Sequence, residues 1–231
     1  MPTDLERFAT IILLGIASAN ARAESRNCGF IASGSPISLA RVMSAEKRVH
    51  FIAAPWRNPS CPSMAPECRA KAFVVPGDQV VVSDSQGELS CAHYVSIKGV
   101  ETEGWLPTTT LETVTIEPAP TATDWAGRWE KAEGILTLTP QGKRIAVVGD
   151  ATWGAGDPHR VKMGSVHNGH LEGSNEPGGA VLSIADVDTQ GDCSATLRLM
   201  GRYLVVVDNG ACGGANVSFN GIYLRNLGKA K

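Results

Sequence analysis

Every apolar stretch in this chain is short. Runs such as ILTLT, RIAVVGD, CSATLRLM and YLVVVDNG break off within a handful of residues, and 25 glycines spread over 231 positions supply the breaks. No stretch after the N-terminus sustains a 3.6-residue apolar period, so amphipathic helices cannot be the main building unit. Several runs instead alternate. Leu136 and Leu138 point one way and Thr137 and Thr139 the other, as Ala195, Leu197 and Leu199 do against Thr196 and Arg198. That pattern belongs to half-buried strands, and the chain is expected to be all-β. A short helix around residues 37–46 is the one expected exception.

The first 23 residues read as a secretion signal. Phe8 to Ala19 are uncharged, too short a run to cross a bilayer, which needs about 20 residues, but long enough for a signal core. Ala21 and Ala23 flank Arg22 in a small-x-small cleavage site, although Asp4 and Glu6 outweigh Arg7 in a region that is normally positive. No later segment reaches membrane-spanning length. A periplasmic or secreted protein without membrane insertion after signal removal is therefore expected.

Charge narrows the partners. The net charge is −2, and removing Arg7, Arg22, Asp4 and Glu6 with the signal leaves it unchanged. No basic stripe is available for a phosphate backbone, so nucleic acid is not an expected partner. A hydrophobic fraction of 43% supports a packed core rather than disorder.

The segment TIEPAPTAT, residues 115–123, reads as a proline-bearing linker between domains at 24–114 and 124–231. In the first domain, strands are expected at 48–54, 72–75, 79–82, 89–97 and 103–107, with a turn at Pro76-Gly77-Asp78. In the second, about eight short strands with glycine turns point to an up-and-down barrel or a sandwich. Met200-Gly201-Arg202 reads as a hairpin turn that sets residue 193 opposite roughly residue 208.

All six cysteines follow the signal, and an even count in an exported chain indicates disulfides. Cys193 and Cys212 stand alone in the second domain and are expected to pair. Cys28, Cys61, Cys68 and Cys91 allow three connectivities, of which Cys61–Cys68 with Cys28–Cys91 is preferred: the first closes the proline-rich loop PWRNPSCPSMAPECR. No CxxC occurs and no histidine stands at ligand spacing from a cysteine pair, so zinc is not expected.

Gly77-Asp78, Gly104-Trp105-Leu106 and Thr108 to Leu111 occur in the order found in bacterial SH3-like domains, and the first domain resembles that family. The resemblance implies a small barrel with one helical turn before its last strand. It also implies an aromatic-lined groove for extended peptides, with Trp56, Tyr94 and Trp105 as the residues to supply it. Trp105 can serve instead as core. Gly127-Arg128-Trp129 at the start of the second domain and Gly221 to Arg225 at its end are similar to lipocalin-like barrels. There Trp129 would plug the core, and Trp153, in ATWGAGDPH, would contact a ligand at the rim. The stretch DNGACGGANVSFNGIYLR resembles lysozyme-inhibitor-like C-terminal domains.

No catalytic constellation assembles. Gly191-Asp192-Cys193-Ser194 looks like the nucleophile of NlpC/P60 peptidases, but no histidine follows His170 and CSATLRLM alternates as a strand. His167-Asn168-Gly169-His170 reads as an exposed hairpin without a third metal ligand. The chain shows no GxSxG, HExxH or Walker loop. The expected function is an exported, non-catalytic binding protein of the bacterial envelope without a cofactor, recognising peptidoglycan, a peptide or an envelope protein. An inhibitor of a host hydrolase such as lysozyme, or an unrecognised carboxylate-dependent cell-wall hydrolase, are the alternatives.

Overall fold

The computed structural model describes residues 28, 29, 31–185 and 192–226, so the signal with Ala21 and Ala23 lies outside the described residues. The fold is all-β. The first seven strands are β1 (Ser38–Val42), β2 (Val49–Ile52), β3 (Arg69–Val74), β4 (Gln79–Gln86), β5 (Leu89–Val95), β6 (Glu101–Pro107) and β7 (Leu111–Val114). They form one sheet in the order β3-β2-β6-β5-β4-β1-β7. A single 3-10 turn, Thr108–Thr110, separates β6 from β7.

The remaining strands are β8 (Gly127–Lys131), β9 (Gly134–Gln141), β10 (Arg144–Trp153), β11 (His167–Asn175), β12 (Val181–Ala185), β13 (Ser194–Met200), β14 (Tyr203–Asp208) and β15 (Gly221–Asn226). Their sheet order is β11-β10-β9-β8-β15-β14-β13-β12, antiparallel at every pair. This is a nearly closed up-and-down barrel. The first and last strands pair across Glu130–Leu224 and Trp129–Arg225, and the seam falls between β11 and β12. Two short helices accompany it, α1 (Ala122–Trp125) and α2 (Pro158–Lys162).

The alternating residues drive this closure. Leu136, Leu138, Ile145, Val147, Leu197 and Leu199 turn inward and join Trp125, Trp129, Phe219 and Tyr223 in one cluster. Trp129 is fully buried, with its indole N–H donating to the Trp125 carbonyl at 3.0 Å. That bond holds α1 against the barrel, and Thr121 and Asp124 cap the helix reciprocally.

Strand β14 does not alternate, and that exception builds the rest of the molecule. YLVV of β14 is buried on both faces, since Leu204 and Val206 enter the barrel while Tyr203 and Val205 lie outside it. Outside, they meet Met200 and Ile222 of the barrel, Leu39, Val81 and Val95 of the first sheet, and Ile31 of the segment before β1. Ile116, in the 115–123 segment, packs against the same cluster. Strands covered on both sides lose the polar half of the pattern. The Tyr203 hydroxyl completes the contact by donating to the Gln79 carbonyl at 2.8 Å, and burial pushes its pKa up to about 12.

All three expected disulfides are formed: Cys28–Cys91, Cys61–Cys68 and Cys193–Cys212. Three local expectations are corrected. Residues 37–46 hold strand β1, not a helix, because Ala40 and Val42 enter the first sheet's core while Leu39 enters the junction, so both faces are needed. The β13–β14 turn contains two residues, Gly201 and Arg202, which sets Asp208 opposite Ala195 and shifts the expected register by two.

The third correction concerns Gly169. It is not a hairpin tip; it lies inside β11, opposite Ala151. Gly213 bridges to it, and the Cys212 carbonyl accepts from the His170 N–H at 3.1 Å. A Cβ at Gly169 would run into the Cys212 carbonyl oxygen and come within 2.7 Å of Val217. Glycine is thus required by close approach of the disulfide-bearing loop. Gly169→Ala is expected to cost about 1–3 kcal/mol in urea unfolding. Gly178→Ala, where a Cβ meets nothing within 4 Å, should change stability by less than about 0.5 kcal/mol.

Candidate functional site

The four aromatic candidates are not gathered together. Trp56 lies in the loop after β2, 69% exposed, with the Arg57 guanidinium 4.6 Å from its ring. Tyr94 on β5 is half-buried. Burial raises its phenol pKa, Asp78 adds to the rise and Arg202 opposes it. Trp105 is 0% exposed among Cys28, Cys61, Cys68 and Cys91, so two disulfides pack around it and no face is left for a ligand. Trp153 ends β10 with one side against the barrel core. Arg160 of α2 lies 4.0 Å over its ring, and His167 is 5.3 Å away.

A larger feature opens where the two sheets meet. A cleft of about 890 Å³ is walled on one side by Ile97, Lys98 and Gly99, the tip of the β5–β6 hairpin. Its other walls are Glu130 and Lys131 of β8, Leu224 and Arg225 of β15, and Arg202 of the β13–β14 turn, with Asp124 of α1 at its end. None of the four aromatics lines it. Sequence reasoning missed these residues because they come from five separate elements. The cleft depends on β8 pairing with β15 and on the barrel docking against the first sheet.

Electrostatics in the cleft are uneven. Both carboxylates are engaged locally. Asp124 accepts from the Thr121 hydroxyl and N–H, each at 2.7 Å, and those bonds hold its pKa below the usual carboxylate value. Glu130 accepts from the Arg128 Nε–H and is held low by Arg128 and then Asn226. Arg225 stacks on Trp129, 4.7 Å from the ring, and its Nε–H donates to no acceptor. Arg202 lies 5.2 Å over Tyr203. Burial pushes the Lys131 amine down, with Glu101, Asp208 and Glu133 opposing; its Nζ donates to the Ser218 carbonyl at 3.2 Å.

One further arrangement has no signature in the sequence. His93 on β5 is 1% exposed, with both ring nitrogens engaged. Ser83 Oγ is 3.0 Å from Nε2 and Glu101 Oε1 is 3.2 Å from Nδ1. This is the nucleophile, base and orienter order of a serine hydrolase. The Ser83 hydroxyl also lies 3.2 Å from Cys91 Sγ, and Ser83, His93 and Glu101 do not line the cleft. Ser83 is the residue left over at the β4–β5 bulge, which a pattern search cannot register. Cys28, Cys91 and His93 bring potential ligand atoms within 4.8 Å of one another, but both sulfurs are spent in the disulfide.

His167 and His170 do not converge. His167 Nδ1 meets the Ala215 carbonyl at 2.6 Å, whereas His170 Nδ1 meets Asp150 at 3.1 Å and Nε2 meets Glu172 at 3.5 Å. The Asp150 hydrogen bond, against a smaller desolvation effect and with help from Glu172, raises the His170 pKa. A raised folded pKa stabilises the fold fully below the unfolded value of about 6.5 and ceases to do so as pH rises through the folded value. His170→Ala should therefore lower Tm slightly at pH 5.5 and not at pH 9, as read by thermal scans. Trp105→Ala is expected to cost about 3–5 kcal/mol in urea unfolding. Trp56→Ala should cost less than about 0.5 kcal/mol. Compared with protein-family models, curated proteins and solved structures, the chain matches none.

Proposed function

We propose that this chain is an exported, non-catalytic binding protein of the bacterial envelope, and that the cleft between its two sheets receives the ligand: peptidoglycan, a peptide or an envelope protein. The cleft carries the reading. Its volume of about 890 Å³ falls in the range of about 300–1,000 Å³ typical of small-molecule and cofactor pockets. It also combines polar groups with apolar lining from Ile97, Ala132 and Leu224. Export is supported by three disulfides, which persist in oxidising compartments. The 3-10 turn followed by β7 is in keeping with an SH3-like first module. Of the aromatics, Tyr94 is the one with a cleft residue, Arg202, in its electrostatic surroundings.

Co-sedimentation of the mature protein with purified peptidoglycan sacculi tests the reading. Wild type should pellet, and the double variant Lys98→Glu, Arg202→Glu should lose about tenfold in affinity through repulsion at the cleft. Trp56→Ala and Trp153→Ala should pellet as wild type. Pelleting that follows Trp56 or Trp153 and ignores the cleft variant would move the site elsewhere.

A further inference from the structure

Four cations line the cleft, on both of its sides: Lys98 on the first sheet, and Lys131, Arg202 and Arg225 on the barrel. Among the described residues, none of the four forms an ion pair. The two acids that share the cleft are engaged by near neighbours, Asp124 through Oδ2 by Thr121 and Glu130 by Arg128 and Asn226. The guanidinium carbons of Arg202 and Arg225 lie 5.2 Å and 4.7 Å from the ring centroids of Tyr203 and Trp129, a cation–π contact that leaves N–H donors available. An arginine presented this way suits planar, two-point recognition of a carboxylate.

The layout distinguishes among anions. A phosphate cradle gathers several backbone N–H groups at one point, usually a glycine-rich loop leading into a helix. Here the cations stand on opposite walls with apolar surface between them. Ile97 is 89% exposed and Leu224 lines the same space. Nearby Val100, at the base of the same turn, is 58% exposed. A ligand that satisfies this arrangement carries more than one anionic group along an aliphatic framework.

We infer that the cleft recognises the free carboxylates of a short acidic peptide, with Arg225 and Arg202 as the carboxylate donors and Lys98 closing over the ligand from the hairpin tip. The inference rests on the cleft being the binding site. Lys131 is already partly desolvated, bonded to the Ser218 carbonyl and offset by the charges of Glu101, Asp208 and Glu133, so the other three cations carry the recognition. Stem peptides of peptidoglycan and free acidic peptides share this chemistry, and the experiment separates them.

The mature protein is sedimented with native sacculi and with sacculi whose carboxylates have been capped by carbodiimide coupling to methylamine. In parallel, calorimetry compares a free-acid tetrapeptide of alanine and glutamate with its fully amidated counterpart. Capping is expected to weaken pelleting by about tenfold or more, as is amidation of the tetrapeptide. Lys98→Gln and Arg225→Gln should each weaken binding to native sacculi several-fold. Lys162→Gln, on α2 outside the cleft, should leave it unchanged. Lys98 is on an exposed turn, so its variant remains informative if loss of the Arg225 stack impairs folding.

Equal pelleting of native and capped sacculi would overturn the carboxylate inference and leave the cleft as the binding site. An equal loss in Lys162→Gln would overturn it in favour of diffuse attraction. If wild type pellets with neither material, recognition of peptidoglycan fails, and the tetrapeptide decides: tighter binding of the free acid upholds the inference for free peptides, and equal or no binding overturns it.

Discussion

The double burial of β14 is the constraint from which the rest follows. A barrel strand that faces solvent on one side needs polar residues at every second position. Tyr203 and Val205 violate that requirement and become affordable only because the first sheet covers them. Leu39, Val81 and Val95 are apolar for the reciprocal reason. The two sheets therefore share an apolar junction, and the proline-bearing segment between them is itself pinned there through Ile116. The Tyr203 hydroxyl, bonded to Gln79, fixes the position of one sheet against the other. Without that docking the β5–β6 tip would not stand opposite β8 and β15, and there would be no cleft.

Much of the fold was legible from the chain. The alternation in residues 136–139 and 195–199 places the inward faces of β9 and β13 correctly, and glycine spacing gives the strand count of the barrel. Cys193–Cys212 follows from its isolation, whereas Cys61–Cys68 with Cys28–Cys91 is a preference among three connectivities that the structure bears out. What remained hidden has specific causes. Leu39, Ala40 and Val42 mimic a helical face because the two sides of β1 are buried against different cores. A two-residue turn at Gly201-Arg202 and a longer one are not distinguishable by composition, so the β13–β14 register slipped by two. Gly169 suggests a turn because glycine in sequence does not reveal whether it serves freedom of φ or close approach.

The site was less legible than the fold, again for physical reasons. Aromatic residues were the natural candidates for recognition, yet aromatics are also the most effective core fillers. Trp105 went to the core, sealed between two disulfides, while Trp129 and Tyr203 took the role of platforms beneath Arg225 and Arg202. The residues that face the cleft are charged residues at strand ends and turn tips, where a sequence reader expects only a solvated surface. His93 illustrates the converse. Its partners Ser83 and Glu101 come from the neighbouring strands, and their meeting depends on a bulge in β4. The result resembles catalytic machinery and satisfies a buried imidazole, which would otherwise leave a ring nitrogen unpaired at a cost of about 1–3 kcal/mol.

The cleft also ties recognition to architecture. Cations on facing walls repel one another, and the fold gains nothing from keeping Lys98, Arg202 and Arg225 without carboxylate partners while Asp124 and Glu130 are engaged elsewhere. Exposure to water keeps that repulsion small, since screening over about 8–10 Å is strong at ordinary ionic strength. A bound anion would convert it into attraction on both walls at once. Because one wall belongs to the first sheet and the other to the barrel, such a ligand would bind the docked arrangement in preference to any separated one. By mass action it would then stabilise the junction it depends on. Changes at Tyr203 or Val205, remote from any ligand contact, would weaken binding through the docking equilibrium alone, which makes the apolar junction part of the recognition apparatus.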